Sequence, residues 1–287
     1  MSSGVRNLAW VLPSNRGNDV FAKLTVLANE VGLQVEDRRG EREGRAAVSG
    51  KVLTIVDHPA AVAHADPKSW FIVLPLSSRD LAAELLRNQP QLSQAEAITE
   101  ASITLSFVNY LMLHGAVVVG DVEKANRELF TNGAAPTAKM LDGDGRNVLG
   151  HYASLPVAEG ATAVWRAEDF HYTKGLERTG GAPSIDLTGR GRILVYGPNV
   201  TLTPGVWKIE AEFDLDVEGD PVGLRFDWGH GEDCTTSRFK PKSTGRYRIE
   251  LTRTWLENQT AEFRIWVEHG MLHGQLNFSG AHIHRVG

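Results

Sequence analysis

The chain has 287 residues and a formal net charge of −5. Hydrophobic residues make up 42% and charged residues 23%, a globular balance that excludes collagen-like, mucin-like and wholly disordered chains. The acidic charge argues against a large nucleic-acid interface, which needs a basic surface, and the single cysteine, Cys234, can form no intrachain disulfide.

Taken in chain order, residues 7–12 read as a short buried strand followed by a polar loop. Asp19 caps a helix running to Val31, with Val20, Leu24, Leu27 and Val31 on one face, and Gly32 stops it. Residues 33–37, 52–56 and 70–74 read as strands. Ser77 and Ser78 cap a helix over 79–87. A longer helix covers 93–114, with Ile98, Ala101, Leu105, Val108 and Met112 on its apolar face, and 116–119 is a strand. Strand and helix alternate, so the expectation is a Rossmann-like α/β domain with a parallel sheet over residues 1–130.

Glycine and tryptophan then change the grammar. Eight of 29 glycines lie in residues 1–130 and 21 after, as do five of seven tryptophans. Residues 131–165 read as a linker and 166–287 as an all-β, jelly-roll-like sandwich. Period-two alternation carries that reading over 205–218, 221–229, 245–256, 261–270 and 271–280, with earlier strands at 184–187 and 192–196. In the 271–280 segment Leu272, Leu276 and Phe278 are expected inward. The start of the chain lacks a signal-peptide pattern, and the apolar run 107–119 is too short and interrupted to span a bilayer. A cytoplasmic protein without membrane insertion is expected.

Three sets of residues could carry chemistry. Loops at strand C-termini hold Asn15, Arg16, Asp57, His58 and Ser77, where a nucleotide phosphate could sit at a helix N-terminus. No glycine-rich dinucleotide loop or P-loop follows any strand. The polar side of the sandwich alternation presents Arg225, Asp227, Arg248, Arg264, Trp266, Gln275 and Asn277. An aromatic ring among planar polar groups suits a sugar, whose apolar face stacks while its hydroxyls hydrogen-bond. The third set is four histidines near the end of the chain: His269, His273, His282 and His284. His282-x-His284 on a strand points both rings to one face, a spacing compatible with a metal. Surface or stacking histidines are the expectation, with no metal and no cofactor.

Two resemblances extend these readings. Glu100 to Val119, a helix bearing small hydroxyl residues that leads to Gly115 and a Val-rich strand, resembles the nucleotide-sugar half of two-Rossmann glycosyltransferases. The resemblance implies that Ser102 and Thr104 face donor phosphates. Tyr196-Gly197-Pro198, Leu202 to Ile209, Phe263 to Val267 and Leu276 to Gly280 resemble the carbohydrate-binding-like jelly rolls of bacterial polysaccharide-biosynthesis proteins, with Asn199 where an aromatic is usual. That resemblance implies a glycan-binding protein in surface-polysaccharide synthesis or modification, with other proteins of that machinery as partners. A reduced glycosyltransferase and a non-catalytic assembly protein are the alternative expectations.

Overall fold

The structure is a computed structural model that describes residues 6–12, 17–40, 51–58, 65–74, 77–120, 130, 139–140, 147–173, 176–177, 184–217 and 222–287. Two compact units divide the chain. The first comprises Met1–Ser93, Thr104–Asp142 and Tyr152–Pro156, and the second Gln94–Ile103, Gly143–His151 and Val157–Gly287.

The first unit contains β1 (Leu8–Val11), α1 (Gly17–Glu30), β2 (Gln34–Asp37), β3 (Val52–Val56), β4 (Trp70–Val73), α2 (Ser78–Asn88), the second half of α3 (Gln94–Leu113) and β5 (Val117–Val119). The five strands pair in parallel. Helices cover both faces, which explains why the central strands are apolar runs rather than alternations. On one face Val20, Leu24 and Leu27 of α1 pack with Ala9, Val11, Ile55 and Val73. On the other, Trp10 meets Phe107 of α3 edge-on at 6.0 Å. Val31 lies beyond the end of α1 and is 37% exposed, a correction to the expected helix face. Gly32 closes the helix as expected. It takes φ +78° while the Leu33 amide reaches back to the Ala28 carbonyl.

The strand order is β2-β3-β1-β4-β5. A Rossmann unit would place its second strand beside the first, so the Rossmann-like reading is corrected to a five-stranded parallel sheet of different order. The physical reason is burial. The ends of β2, Gln34 and Asp37, are exposed and its middle is half-buried, whereas four of five residues of β3 are buried. A strand that polar tolerates the edge but not a position covered on both faces.

Beyond β5 come β6 (Lys139–Met140) and β7 (Ser154–Leu155), paired antiparallel in the first unit. The second unit contains β8 (Thr162–Arg166), β9 (His171–Tyr172), β10 (Leu176–Glu177), β11 (Ser184–Asp186), β12 (Arg192–Leu202), β13 (Gly205–Asp216), β14 (Leu224–His230), β15 (Asp233–Phe239), β16 (Gly245–Trp255), β17 (Gln259–Val267) and β18 (Gln275–Arg285). They form two antiparallel sheets. Sheet I runs β10-β11-β18-β13-β16, with β8 on the other half of β18, and sheet II runs β15-β14-β17-β12-β9. The period-two alternation sends Trp207, Ile209, Phe213 and Leu215 inward from sheet I, and Phe226, Trp228, Phe263 and Ile265 inward from sheet II. The faces meet ring on ring: Phe213 lies 5.5 Å from Phe226 and Phe278 6.3 Å from Phe263. Phe170, between β8 and β9, enters the same core edge-on to Phe278 at 4.9 Å. This is a β-sandwich.

Several elements differ from the expectations. β8 lies within the stretch read as a linker, and its Trp165 is fully buried. β15 has no clean apolar alternation because it is an edge strand, paired only with β14, and so buries neither face fully. Leu272, expected inward, is 85% exposed in the turn before β18. β18 is one long strand carrying a bulge opposite Glu212 and Phe213, where Gly280 takes φ +108°. β12 likewise continues past Tyr196 through a bulge at Pro198–Val200. Asn199 takes φ +62° there, a conformation that its short polar side chain tolerates better than an aromatic would.

Candidate functional site

The outer face of sheet II is built by the positions that alternate with its core. Register aligns them in two rows across the strands. One row runs Ile193, Trp266, Arg225 and Arg238, and the other His171, Tyr196, Arg264, Asp227 and Thr236. At about 4.8 Å per strand, the second row crosses roughly 19 Å of sheet.

Polar pairing holds these side chains in place. Arg225 donates to Asp227 at 3.0 Å, and its guanidinium lies over the Trp266 ring at 4.5 Å. Asp227 also accepts from the Thr236 hydroxyl at 2.8 Å and is only 5% exposed. Arg264 pairs with Glu262 and donates to the Gly231 carbonyl at 2.7 Å. Arg238 donates to Glu268 at 2.8 Å, and that hydrogen bond holds the Glu268 carboxyl below its usual range. Tyr196 and His171 form a tilted aromatic pair at 5.1 Å, with His171 exposed. Of the residues expected from the sequence, Trp266, Arg264, Arg225 and Asp227 share this face, and register adds Tyr196 and His171 to it. Tyr196 faces outward because a bulge between Ile193 and Val195 shifts the parity of β12, and such a shift is invisible without the partner strand.

The remaining sandwich candidates lie elsewhere. Arg248, on β16, and Gln275 and Asn277, on β18, belong to sheet I. Their outward positions face away from the shared core, on the opposite side of the sandwich from Trp266. The expectation of a single polar face is therefore corrected: alternation tells inward from outward but not one sheet from the other. Arg248 there joins an ion-pair lattice, reaching Glu210 at 3.5 Å and Glu250 at 3.1 Å, with Lys208 bridging the same two carboxylates. Asn277 lies opposite Asp214 and Ser184, and Gln275 accepts from the Ser184 hydroxyl at 3.4 Å.

The nucleotide-binding expectation meets a different arrangement. Ser102 is fully buried, donates to the Thr99 carbonyl at 2.6 Å and accepts the Thr201 amide at 2.9 Å. Its hydroxyl is spent inside the second unit, so it faces no phosphate there, and that expectation is corrected. Thr99 likewise donates to the Asn199 carbonyl at 2.9 Å, tying the β12 bulge to the start of α3. Thr104 is half-buried in mid-helix. Ser77 is the N-cap of α2, accepting from the Asp80 amide at 3.1 Å and donating to its carboxylate at 2.7 Å. Asp57 accepts the Gly40 amide at 2.9 Å, and His58 is half-buried beside it. Asn15 and Arg16 lie outside the described residues.

Cys234 sits 4.0 Å from an Arg264 nitrogen, yet burial pushes its thiol up, which disfavours a nucleophile. Among the described residues no helix is long and apolar enough to cross a membrane.

No family model matches the chain, and no curated protein matches it. Solved structures do match, among them carbohydrate-binding modules that align with less than half of the chain. A module of Cellvibrio mixtus lichenase 5A in complex with cellotriose is 16% identical, covering 44% of this chain and 98% of its own, at a TM-score of 0.30. The C-terminal CBM6 of LamC from Zobellia galactanivorans is also 16% identical, covering 43% and 99%, at 0.32. A family 35 module from Clostridium thermocellum is 11% identical, covering 42% and 96%, at 0.33.

Proposed function

We propose that the second unit binds glycans on the outer face of sheet II. The observation that carries this reading is the juxtaposition of three rings, Trp266, Tyr196 and His171, with the paired polar groups Arg225, Arg264 and Asp227 on one sheet face. Aromatic faces stack on the C–H face of a pyranose, while planar guanidinium and carboxylate groups set the angles at which hydroxyls bond. Because Arg225 already covers part of Trp266, the indole and guanidinium act as one stacked unit, with Tyr196 and His171 as the more open rings. The paired charges orient one another in advance, so little side-chain ordering remains to oppose binding.

The wider role follows from the resemblance of the Tyr196-Gly197-Pro198 and Phe263 to Val267 segments. We infer that glycan binding serves bacterial surface-polysaccharide synthesis or modification, in company with other proteins of that machinery. Binding of the full chain to a glycan array tests the site. Retention should be lost in a Trp266→Ala, Tyr196→Ala double variant that still unfolds cooperatively, and kept in Arg248→Ala. Equal retention by the double variant would sink the assignment.

A further inference from the structure

The outer face of sheet I carries a separate chemistry. His282 and His284 alternate on β18, so both rings leave the same face. Their planes lie within 13° of parallel, with centroids 6.5 Å apart. His282 is exposed and His284 half-exposed. On β13, Glu210 stands opposite His282 and Lys208 opposite His284; on β8 their neighbours are Val164 and Thr162.

The nitrogens of this pair differ in one respect from those of His114 and His230. His114 and His230 each hold a backbone carbonyl through Nδ1, at 2.7 and 3.0 Å. Neither His282 nor His284 carries a hydrogen bond among the described residues. Their rings stack on each other with donor nitrogens uncommitted, on a rigid central strand paired on both sides. Beside them Glu210 pairs with Lys208 and Arg248.

We propose that His282 and His284 chelate a divalent transition-metal ion of the zinc or nickel class. Neutral imidazole nitrogen is a preferred donor for these ions, at about 2.0–2.1 Å for zinc. Two rings one residue apart on a strand converge on one ion through side-chain rotation alone, because no other bond fixes them. Among the described residues no three His, Cys, Asp or Glu side chains already converge as a ligand set. The ion therefore completes its shell with water and exchanges readily. Imidazole suits zinc, copper and nickel, whereas calcium and magnesium take oxygen ligands, so the site discriminates between these groups.

Calorimetric titration of the untagged full chain with zinc chloride and with nickel chloride tests this. One binding event is expected for each, and none with calcium chloride. His282→Ala and His284→Ala should each weaken binding at least ~tenfold, the scale on which metal sites respond to loss of a supporting partner. His282→Asn, a polar replacement of similar size, should do the same, while His269→Ala and His273→Ala should bind as the parent. Absence of zinc binding by the parent chain at millimolar metal would overturn the proposal, and so would parent-like affinity in the His282 and His284 variants. The titration contains no glycan, and Trp266→Ala should leave it unchanged, so it stands or falls apart from the sheet II reading.

Discussion

Asp227 illustrates how one side chain organises a surface. It is nearly buried, yet it sits on the outward side of its strand, held by Arg225 and Thr236 and screened by the large groups around it. Breaking a pair this shielded leaves a charge uncompensated, which costs more than the pair itself contributes. Asp227→Ala should therefore lower both stability and glycan affinity, whereas exposed Arg248→Ala should change stability by less than about 0.5 kcal/mol. Urea unfolding of the two variants distinguishes them.

His151 is a second such residue. It is fully buried, edge-on to Trp207 at 5.5 Å, and its Nε2 faces the Thr201 carbonyl at 3.4 Å. Burial pushes its pKa down to about 3. Between roughly pH 6.5 and pH 3 the unfolded chain therefore binds a proton that the folded chain refuses, so stability falls as pH drops through that window. The expected slope is about 1.4 kcal/mol per pH unit. His151→Gln should flatten the pH dependence of the sandwich transition in denaturant series, and an unchanged slope would show that other groups carry it.

At the scale of elements, helices and core strands were legible in the sequence because local periodicity reflects local geometry. Ile98, Ala101, Leu105, Val108 and Met112 were expected on one face of α3, and all five are buried. What periodicity does not contain is the partner. Ser102 reads equally well as a phosphate contact and as an internal hydrogen bond, and only the arrival of β12 at Thr201 decides for the second. Ser102→Ala removes a buried acceptor from that amide and should cost ~1–3 kcal/mol, while a nucleoside diphosphate should leave the melting temperature of the parent unchanged. A rise of several degrees on adding the nucleotide would revive the transferase reading.

The bulge in β18 makes a similar point. Gly280 reads in sequence as a turn signal at the end of a strand. In the fold it lies inside β18, where a Cβ would stand 2.5 Å from the Trp165 carbonyl of β8. Gly280→Ala should destabilise the sandwich by more than ~1 kcal/mol, since both the positive φ and the close approach exclude a side chain. The melting curve reads this directly.

At the scale of the whole molecule, charge frames the expected binding. The chain is net acidic, and the arginines of the sheet II face are each paired with a carboxylate. A neutral glycan bound there should be held by stacking and hydrogen bonds, so its affinity should change little as ionic strength rises. A steep loss in salt would instead indicate an anionic ligand drawn to unpaired cations.

Composition and periodicity alone were enough to establish a change of fold class along the chain, the parallel α/β character of the first part and the sandwich character of the second. These follow from burial, which leaves its period of 3.6 or 2 in the order of residues. Strand order, register and the division of outward residues between two sheets came only with the tertiary structure. The polar β2 went to the edge, Arg248 and Trp266 went to opposite faces, and Tyr196 and His171 met beside Arg264. The reason is that outward positions look alike along any one strand, and which of them become neighbours depends on hydrogen bonds to strands far away in sequence.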